Sequence, residues 1–259
     1  MAPAAKPVRP TTWAAAEARP PRRRALGRDA IVETALGIID AEGLDALSMR
    51  RVAQELNTGA ASLYAHVSGK EELVELVLDL AYRDLVHPDP DPAIWRAQVK
   101  DFLRQARDHL VAHHDLARAA LASNIPTLPH QLDAAETVLS LLRAGGLPDQ
   151  VAAYGVDLIG LYLVASAHEL SQRHSGAVAS PEQDQAYLDG VRAYFGSLPA
   201  DRYPVLVSMI DPMTRNEGDE RFDFGLDVIL AGLVAQAQSA AQSSAPPALG
   251  RVDRAGDTP

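Results

Sequence analysis

Polar and aromatic side chains in residues 60–67 have the types and spacing needed to contact DNA. Leu63 and Val67 share one face of a short helical segment, which leaves small and polar residues on the other face. This outward set is Ala61, Ser62, Tyr64, Ala65 and His66. Tyr64 and His66 can donate hydrogen bonds to phosphates and base edges, whereas alanines can only contact thymine methyl groups or allow close approach. The pattern predicts a helix whose exposed face enters the major groove, the alternative for Tyr64 being packing against a neighbouring helix.

Two cations flank this segment. Arg50 stands near the start of the preceding helix, and its planar guanidinium suits bidentate contact with guanine O6 and N7. Lys70 stands in the first turn of the following helix, where backbone N–H groups and a cation can hold a phosphate together. For both residues the alternative is an ordinary solvated side chain. We expect both to belong to the DNA-binding surface.

Three helices must position these side chains. Ser48 is a good N-cap for the first helix of the pair. That helix has helically spaced apolar residues at Met49, Val52, Ala53 and Leu56. Residues 57–59 (Asn-Thr-Gly) should end it, because Asn and Gly tolerate the left-handed backbone of a tight turn. Ser68 and Glu71 have capping-box spacing and are expected to open the helix that follows. The arrangement is a helix-turn-helix followed by a longer helix.

In these elements the chain resembles the TetR family of bacterial repressors. The resemblance rests on a helix ended by Gly43, then residues 48–56, then 63–67 and then 70–73, in that order. Residues 222–233 are also similar to the last helix of the tetracycline-repressor branch. The resemblance implies an all-α fold with an N-terminal helix-turn-helix domain and a larger helical domain for ligand binding and dimerisation. It also implies that the residue at the position of Arg50 contacts a base.

Composition restricts the possible classes of protein. The chain has 259 residues, a formal net charge of −10 and no cysteine, which excludes disulfide frameworks and thiolate metal sites. No apolar run reaches the roughly 18–20 residues of a membrane span, and the N-terminus lacks the apolar stretch of a secretory signal. A cytoplasmic location is expected. Residues 1–27 carry six Lys or Arg against one acid, so a basic end precedes an acidic body. That asymmetry favours contact with phosphates at one end, and it disfavours an architectural DNA-binding protein.

The chain divides into four predicted segments. These are a disordered basic arm at 1–25, a DNA-binding domain at 26–86, a ligand-binding and dimerisation domain at 93–239, and a disordered tail at 240–259. Prolines at 88, 90 and 92 mark the boundary because proline lacks an N–H donor and disfavours helix in the residue before it. Apolar periodicity beyond them predicts helices over 95–113, 116–123, 130–144, 148–172, 182–195, 204–213 and 220–238, with no strand. Three arginines at 22–24 either enter the minor groove or stay solvated.

Two apolar helices predict a dimer. The segment 148–172 is apolar nearly all round, which implies burial on several sides. In the last helix, Gly225 and Gly232 stand seven residues apart, which suggests close helix approach. The predicted dimerisation residues are Leu226, Ile229, Gly232 and Leu233. A two-fold four-helix bundle satisfies both features, and the alternative is a monomeric helical core.

The larger domain has the composition of a small-molecule sensor. It is rich in apolar residues with scattered polar groups that could orient a ligand. The predicted ligand-binding residues are Phe102, Gln105, Ala106, Asn124, Pro126, Leu139, Tyr154, Asp157, Leu161, Glu169, Met209 and Ile210, the last two reaching across the dimer. An all-helical enzyme is the alternative, but the chain has no nucleophile elbow or phosphate loop, and His109 with His113 lacks a matched third zinc ligand.

The ligand is expected to bind without metal or other cofactor. In the tetracycline branch the drug binds with a metal, and the resemblance aligns one histidine ligand with Ala120. Glu169 matches a family acid, but one carboxylate is a weak ligand set. The sequence therefore predicts a repressor that binds a palindromic operator as a homodimer and is released by a small hydrophobic inducer, such as a planar or polycyclic secondary metabolite. The family further suggests control of an efflux pump or an antibiotic-related gene.

Overall fold

The computed structural model describes residues 26–113, 115–122, 126–173, 181–215 and 219–244. Within these ranges the chain is helical and contains no strand, so the predicted all-α fold is confirmed. The helices are α1 (Arg28–Glu42), α2 (Met49–Glu55), α3 (Ala60–Leu63), α4 (Lys70–Tyr82), α5 (Trp95–Val111), α6 (Leu116–Ala122), α7 (Pro129–Ala144), α8 (Asp149–Arg173), α9 (Pro181–Gly196), α10 (Pro204–Ser208), α11 (Ile210–Met213) and α12 (Glu220–Ser244). A 3-10 turn, Leu44–Ala46, joins α1 to α2.

Local capping sets the ends of the head helices. The Ser48 hydroxyl accepts a hydrogen bond from the Arg51 N–H at 3.1 Å, as predicted for an N-cap. Gly43 ends α1 with a φ of 84°, a backbone conformation that favours glycine. Asn57 ends α2 with a φ of 50°, whereas Gly59 has a φ of −80° and needs no such freedom. Because these caps act on neighbouring backbone groups, the helix-turn-helix could be predicted from the sequence.

The predicted capping box at Ser68 and Glu71 is wrong by one residue. Gly69 is the N-cap of α4, so the third helical position is Glu72. The Ser68 N–H donates to Glu72 Oε2 at 2.6 Å. That bond and the Arg28 guanidinium hold the pKa of Glu72 below its usual value. Glu72 therefore caps α4, and its ion pair with Arg28 also connects α4 to the start of α1.

Several helix ends differ from their predicted positions. The helix predicted at 60–67 ends at Leu63, and a hydrogen-bonded turn covers the residues up to Val67. The segment 204–213 forms two short helices, because the backbone breaks at Met209. The last helix continues to Ser244, so the prediction that a disordered tail begins at 240 is wrong for its first five residues. The predicted arm at 1–25 lies outside the described residues.

Two buried clusters hold the molecule together. The first lies among α1 to α4, but it also takes Leu110, Leu116 and Ala167 from α5, α6 and α8. The second lies among α5, α7, α8 and α12, with Phe102 and Leu142 fully buried in it. Because the first cluster draws residues from both predicted domains, the DNA-binding head (α1 to α4) shares a core with the body.

Ion pairs fasten α12 to α5. Lys100 Nζ lies 2.9 Å from Asp227 Oδ2, and Arg104 Nε donates to Asp223 Oδ1 at 2.8 Å. The Arg104 guanidinium holds the pKa of Asp223 below its usual value. The buried Arg107 lies over the ring of Phe222, 4.6 Å from its centroid. The polar residues of α12 thus fix which side of this helix faces the body.

α8 and α12 are each long and apolar enough, by length and composition alone, to cross a membrane. The prediction that no segment reaches that length is therefore wrong for these two helices. Both are only partly buried in the single chain, and they pack against each other. One side of each helix packs into the protein core, and the other side exposes further apolar residues.

Replacing Gly145 tests the close packing at the end of α7. Gly145→Ala should lower the free energy of unfolding by about 1–3 kcal/mol, the usual cost of overpacking. A new methyl group would lie 2.4 Å from Cε2 of the buried Trp95, and the φ of −70° at this position adds no backbone strain. In the control Gly37→Ala, the methyl in the middle of α1 meets nothing within 4 Å. That variant should gain up to about 1 kcal/mol from helix propensity. Urea unfolding at one fixed protein concentration measures both, and equal effects would contradict the packing argument.

Candidate DNA-binding surface and ligand cavity

The outward face of α3 and the turn after it forms the candidate DNA-binding surface. Leu63 and Val67 are buried and anchor this segment to the head core. Tyr64 is 56% exposed and does not pack into the core. The other predicted contact residues on this face, Ala61, Ser62, Ala65 and His66, are exposed as well. The segment therefore presents a hydroxyl, a phenol and an imidazole on one small surface.

Ion pairing separates two adjacent arginines in α2. Arg51 is held by Glu42 at 2.6 Å and by Glu55 at 2.7 Å, and it lowers the pKa of Glu42. Arg50 is exposed and makes no ion pair within the part of the chain that the structure describes. Lys70 is also exposed, with Nζ 3.4 Å from the Leu44 carbonyl oxygen. Arg50 and Lys70 thus retain charge that a phosphate or a guanine can use.

A cavity of about 150 Å³ lies in the body between α4, α5, α7 and α8. Of the predicted ligand-binding residues, Phe102, Ala106 and Pro126 line it. The remaining wall residues are Tyr82, Leu103, Gln131, Ala134, Ala135, Val138, Val156, Ile159, Gly160 and Leu163. Among the described residues, those that form this wall include no charged side chain. An apolar enclosure with a few polar groups is the usual form of a small-molecule site.

The structure places the predicted α8 residues away from this cavity. Tyr154 and Leu161 are 70% and 64% exposed, and Asp157 is exposed beside them. They lie on the outer side of α8, whereas Ile159 and Leu163 face the cavity. Because α8 is apolar on both sides, its composition did not indicate which side would enclose a ligand.

Five other predicted ligand residues are not among the residues of the cavity wall. Gln105 is half-buried, with Nε2 3.4 Å from the Asp101 carbonyl oxygen. Leu139 packs against the second core. Glu169 is exposed and forms an ion pair with Arg221. The remaining residues are Met209, which is exposed, and Ile210, which is half-buried, both at the junction of α10 and α11. Asn124 lies outside the described residues.

Sequence reasoning missed Tyr82 and Gln131 as polar residues of the cavity wall. Tyr82 is the last residue of α4, and Gln131 lies in the first turn of α7. Burial raises the pKa of Tyr82 to about 12, so the phenol is protonated at neutral pH. The sequence places Tyr82 within the predicted DNA-binding domain, 26–86, and has no local signal for a contact with the larger domain.

Asp79 joins the head to the cavity wall. Its Oδ1 accepts hydrogen bonds from the backbone N–H groups of His130 at 2.9 Å and Gln131 at 3.1 Å. The His130 Nδ1 lies 3.3 Å from the other carboxylate oxygen. α7 has no side-chain cap from its own N-cap residue, Leu128, so α4 supplies one. A buried carboxylate at a helix N-terminus satisfies otherwise unpaired donors and interacts favourably with the helix dipole.

An exposed apolar face runs along α8 and α12. Its large side chains are Tyr154, Leu158, Leu161, Phe224 and Val228. The predicted dimerisation residues Leu226 and Leu233 are instead buried in the core of their own chain, because they pack towards α8. Ile229 is partly buried beside them. Only Gly232 of the predicted set is exposed, with open space where a Cβ would stand.

The two glycines of α12 have different surroundings. A Cβ on Gly225 would lie 2.1 Å from the Tyr162 hydroxyl, so this glycine permits close approach of α12 to α8 within one chain. The same hydroxyl donates to the carbonyl oxygens of Arg221 and Phe222, each at 3.2 Å. The spacing of seven residues therefore reflects an internal contact at one glycine and an open surface at the other.

The candidate metal ligands are engaged separately. His109 Nδ1 lies 3.0 Å from the Ala81 carbonyl oxygen, and His113 Nδ1 lies 3.0 Å from an Asp40 carboxylate oxygen. Across the described ranges, no group of three or more His, Asp or Glu residues could hold a metal ion. The two histidines instead join α5 and the turn after it to the head.

Comparison with known proteins covers both parts of the molecule. Residues 31–77 match the family described as bacterial regulatory proteins, tetR family, and residues 87–237 match the tetracyclin repressor-like C-terminal domain. The HTH-type transcriptional repressor DrrR1 of Streptomyces coeruleorubidus is 36% identical over 208 residues, covering 79% of this chain and 76% of that protein. The tetracycline repressor class C of Escherichia coli is 28% identical, covering 80% of this chain and 90% of its own length.

A solved structure gives a similar result. The Streptomyces coelicolor TetR family protein ActR, in complex with actinorhodin, is 47% identical and has a TM-score of 0.74, covering 83% of this chain and 99% of that one. Because these relatives are transcriptional regulators, the all-helical enzyme considered above is the wrong class. The chain belongs to the TetR family of DNA-binding transcriptional regulators.

Proposed function

We propose that the protein is a cytoplasmic repressor that binds a palindromic operator as a homodimer and leaves it when a small hydrophobic inducer enters the cavity. The observation that carries this proposal is the connection between the two sites. The exposed α3 surface belongs to a head whose last helix, α4, ends in the cavity wall at Tyr82. An occupant of the cavity therefore touches α4, the helix that follows the DNA-binding surface and packs within the same head.

The inducer is a planar or polycyclic secondary metabolite bound without metal. ActR has been solved with actinorhodin and with (S)-DNPA, which supports a small-molecule inducer for this chain. Ala120, the position aligned with a metal-binding histidine, packs against the head core, and Glu169 is engaged by Arg221. These two positions supply a single carboxylate and no imidazole. Control of antibiotic export or of a related gene follows from the relatives and is part of this proposal.

Two copies associate through the exposed apolar face of α8 and α12. Five large apolar side chains on one face exceed the scattered exposure expected of a monomer. Gly232 lies on the exposed side of α12 and lets a second helix approach. α9, α10 and α11 pack mainly against one another, so Met209 and Ile210 are available to cap the cavity of the partner subunit. Two heads on a two-fold axis would fit successive major grooves of a palindrome.

Removing the polar side chains of the α3 surface tests DNA binding. Tyr64→Ala and His66→Ala should each weaken specific operator binding by about 1–3 kcal/mol, because each loses a phosphate or base contact. The control Tyr187→Ala truncates a tyrosine of equal exposure, 56%, on α9 and should bind normally. Footprinting of the DNA flanking the gene locates the operator, and gel-shift titration at one fixed salt concentration measures affinity. Wild-type affinity in both α3 variants would remove this surface from the interface.

Adding bulk at Gly232 tests the dimer. Gly232→Leu should weaken association by about 1–3 kcal/mol through overpacking in the proposed interface between α12 and the partner subunit. The two-fold axis places one new leucine on each side of this interface. A Cβ at position 232 meets nothing within 4 Å in its own chain, so the substitution should leave the fold of the single chain unchanged. Sedimentation equilibrium measures the dimer fraction, and Gly37→Leu on α1 is the control at another open glycine. An unchanged dimer would place the interface elsewhere.

Replacing Asp79 tests the connection between head and body. Asp79→Ala removes the cap of α7 and should cost about 0.5–2 kcal/mol of unfolding free energy, the usual range for a lost N-cap. Amide hydrogen exchange should rise in the first turn of α7 and in the second half of α4. Asp79→Asn keeps an acceptor oxygen and should restore most of the protection. If Asp79→Ala left amide exchange unchanged in both segments, the Asp79 carboxylate would not be what holds α4 against the start of α7.

A further inference from the structure

We propose that Tyr82 and Gln131 form the polar end of the cavity and select an uncharged ligand that carries a hydrogen-bond acceptor, such as a ketone or quinone carbonyl, on an aromatic ring. This inference rests on the proposed function, which assigns the cavity to an inducer. It adds the chemical class of the group that is recognised and the two residues that recognise it. Neither residue was indicated by the sequence.

The first argument concerns charge. None of the thirteen residues that line the cavity is ionisable to a charged form at neutral pH. The Asp79 carboxylate, which lies beside Gln131, accepts hydrogen bonds from the backbone N–H groups of α7. Transfer of an ionised group into such a site without a partner charge is strongly unfavourable. The buried part of the ligand is therefore neutral.

The second argument concerns the Tyr82 hydroxyl. Tyr82 is half-buried at the C-terminal end of α4, and it lines the cavity together with Gln131. The raised pKa, about 12, keeps the phenol protonated, so it can donate to a ligand at any physiological pH. An acceptor oxygen on the ligand would satisfy this donor. A hydrocarbon ligand offers no such acceptor and would bind without this hydrogen bond.

The third argument concerns Gln131. Its backbone N–H is held by Asp79, which fixes the position of the residue at the start of α7. Its side-chain Nε2 lies 3.5 Å from the Glu75 carbonyl oxygen, the weak limit of hydrogen bonding. The amide can therefore turn from Glu75 towards a ligand at little cost. The Gln131 amide has two N–H donors and one carbonyl acceptor, and the Tyr82 hydroxyl has one O–H donor. Together they offer a ligand carbonyl donors from two sides of the cavity.

The position of the pair links recognition to the DNA-binding head. Tyr82 lies one helical turn after Asp79 on α4, and Gln131 lies in the turn of α7 that Asp79 caps. A ligand carbonyl that accepts hydrogen bonds from both Tyr82 and Gln131 would favour one distance between α4 and α7 at this contact. A ligand with the same shape and no acceptor would fill the same space without favouring that distance.

Single-ring probes test the assignment because this cavity, of about 150 Å³, accommodates one benzene-sized ring of a larger ligand. The probes are acetophenone, its near-isostere α-methylstyrene, and the anion benzoate. Ligand-observed NMR titration of the full-length protein gives each dissociation constant. Wild-type protein should bind the two neutral probes and should bind benzoate at least ten times more weakly than acetophenone.

The variant Tyr82→Phe separates hydrogen bonding from shape. It should weaken acetophenone binding by roughly 5-fold, the effect of one hydrogen bond, and leave α-methylstyrene binding unchanged. The control Tyr194→Phe removes a hydroxyl from an exposed tyrosine of α9, outside the cavity wall, and should change neither affinity. Gln131→Leu should likewise weaken acetophenone selectively. These differences compare one probe between proteins, so the different hydrophobicities of the probes cancel.

Three results would overturn the proposal. Equal loss of both neutral probes in Tyr82→Phe would mean that Tyr82 only shapes the cavity. Benzoate binding as tight as that of acetophenone would contradict the charge argument. Failure of all three probes to bind wild-type protein would remove the cavity as a ligand site. The proposed repressor function fails on a separate result, which is absence of operator binding by the wild-type protein without any probe.

Discussion

The carboxylate of Asp79 lies where the DNA-binding head, the body and the cavity meet. It belongs to the last turns of α4, and it satisfies the first backbone donors of α7. A buried carboxylate needs those donors, because an unpaired buried charge is strongly destabilising. The N-terminus of α7 needs the carboxylate in turn, because Leu128 offers no cap. This mutual requirement fixes α4 against the cavity wall, and the shared buried cluster around Leu116 and Ala167 reinforces the contact.

The same joint explains how a small cavity can act on a distant surface. α4 begins beside the helix-turn-helix, where Glu72 caps it and pairs with Arg28. It ends at Tyr82, in the wall of the cavity. A helix of this kind transmits a displacement at one end to the other with little loss. In our proposal a ligand therefore favours one setting of α4, and operator affinity falls by the difference in ligand affinity between the two settings.

The long helix α8 serves two environments at once. Ile159 and Leu163 line the cavity, whereas Tyr154, Leu158 and Leu161 form the exposed apolar face. In α12, likewise, Leu226 faces the core of the chain and the opposite side is open. A helix with two apolar faces has little amphipathic signal, which also accounts for its resemblance in composition to a membrane span. The division of its surface between ligand cavity and partner subunit follows from its neighbours, and Gly225 against Tyr162 sets the side on which α12 approaches.

The sequence by itself determined the elements whose cause is local. Ser48, Gly43 and Asn57 act on the backbone next to them, so the helix-turn-helix and the outward position of Tyr64 could be predicted. The apolar periods of α5 and α7 likewise predicted their extents to within two residues at either end. Phe102 and Ala106 could be assigned to the inner side of α5 for the same reason.

Only the tertiary structure decided which faces of these helices meet. The positions of Tyr154, Asp157 and Leu161 on the outer side of α8 depend on where α5 and α7 pack, which the hydropathy of α8 does not encode. Tyr82 enters the cavity wall because Asp79, three residues earlier, is bound to a helix that begins about fifty residues later in the chain. Contacts between residues far apart in sequence have no local signature. They arise when burial of apolar surface and satisfaction of a buried charge select one packing among several that the separate helices would allow.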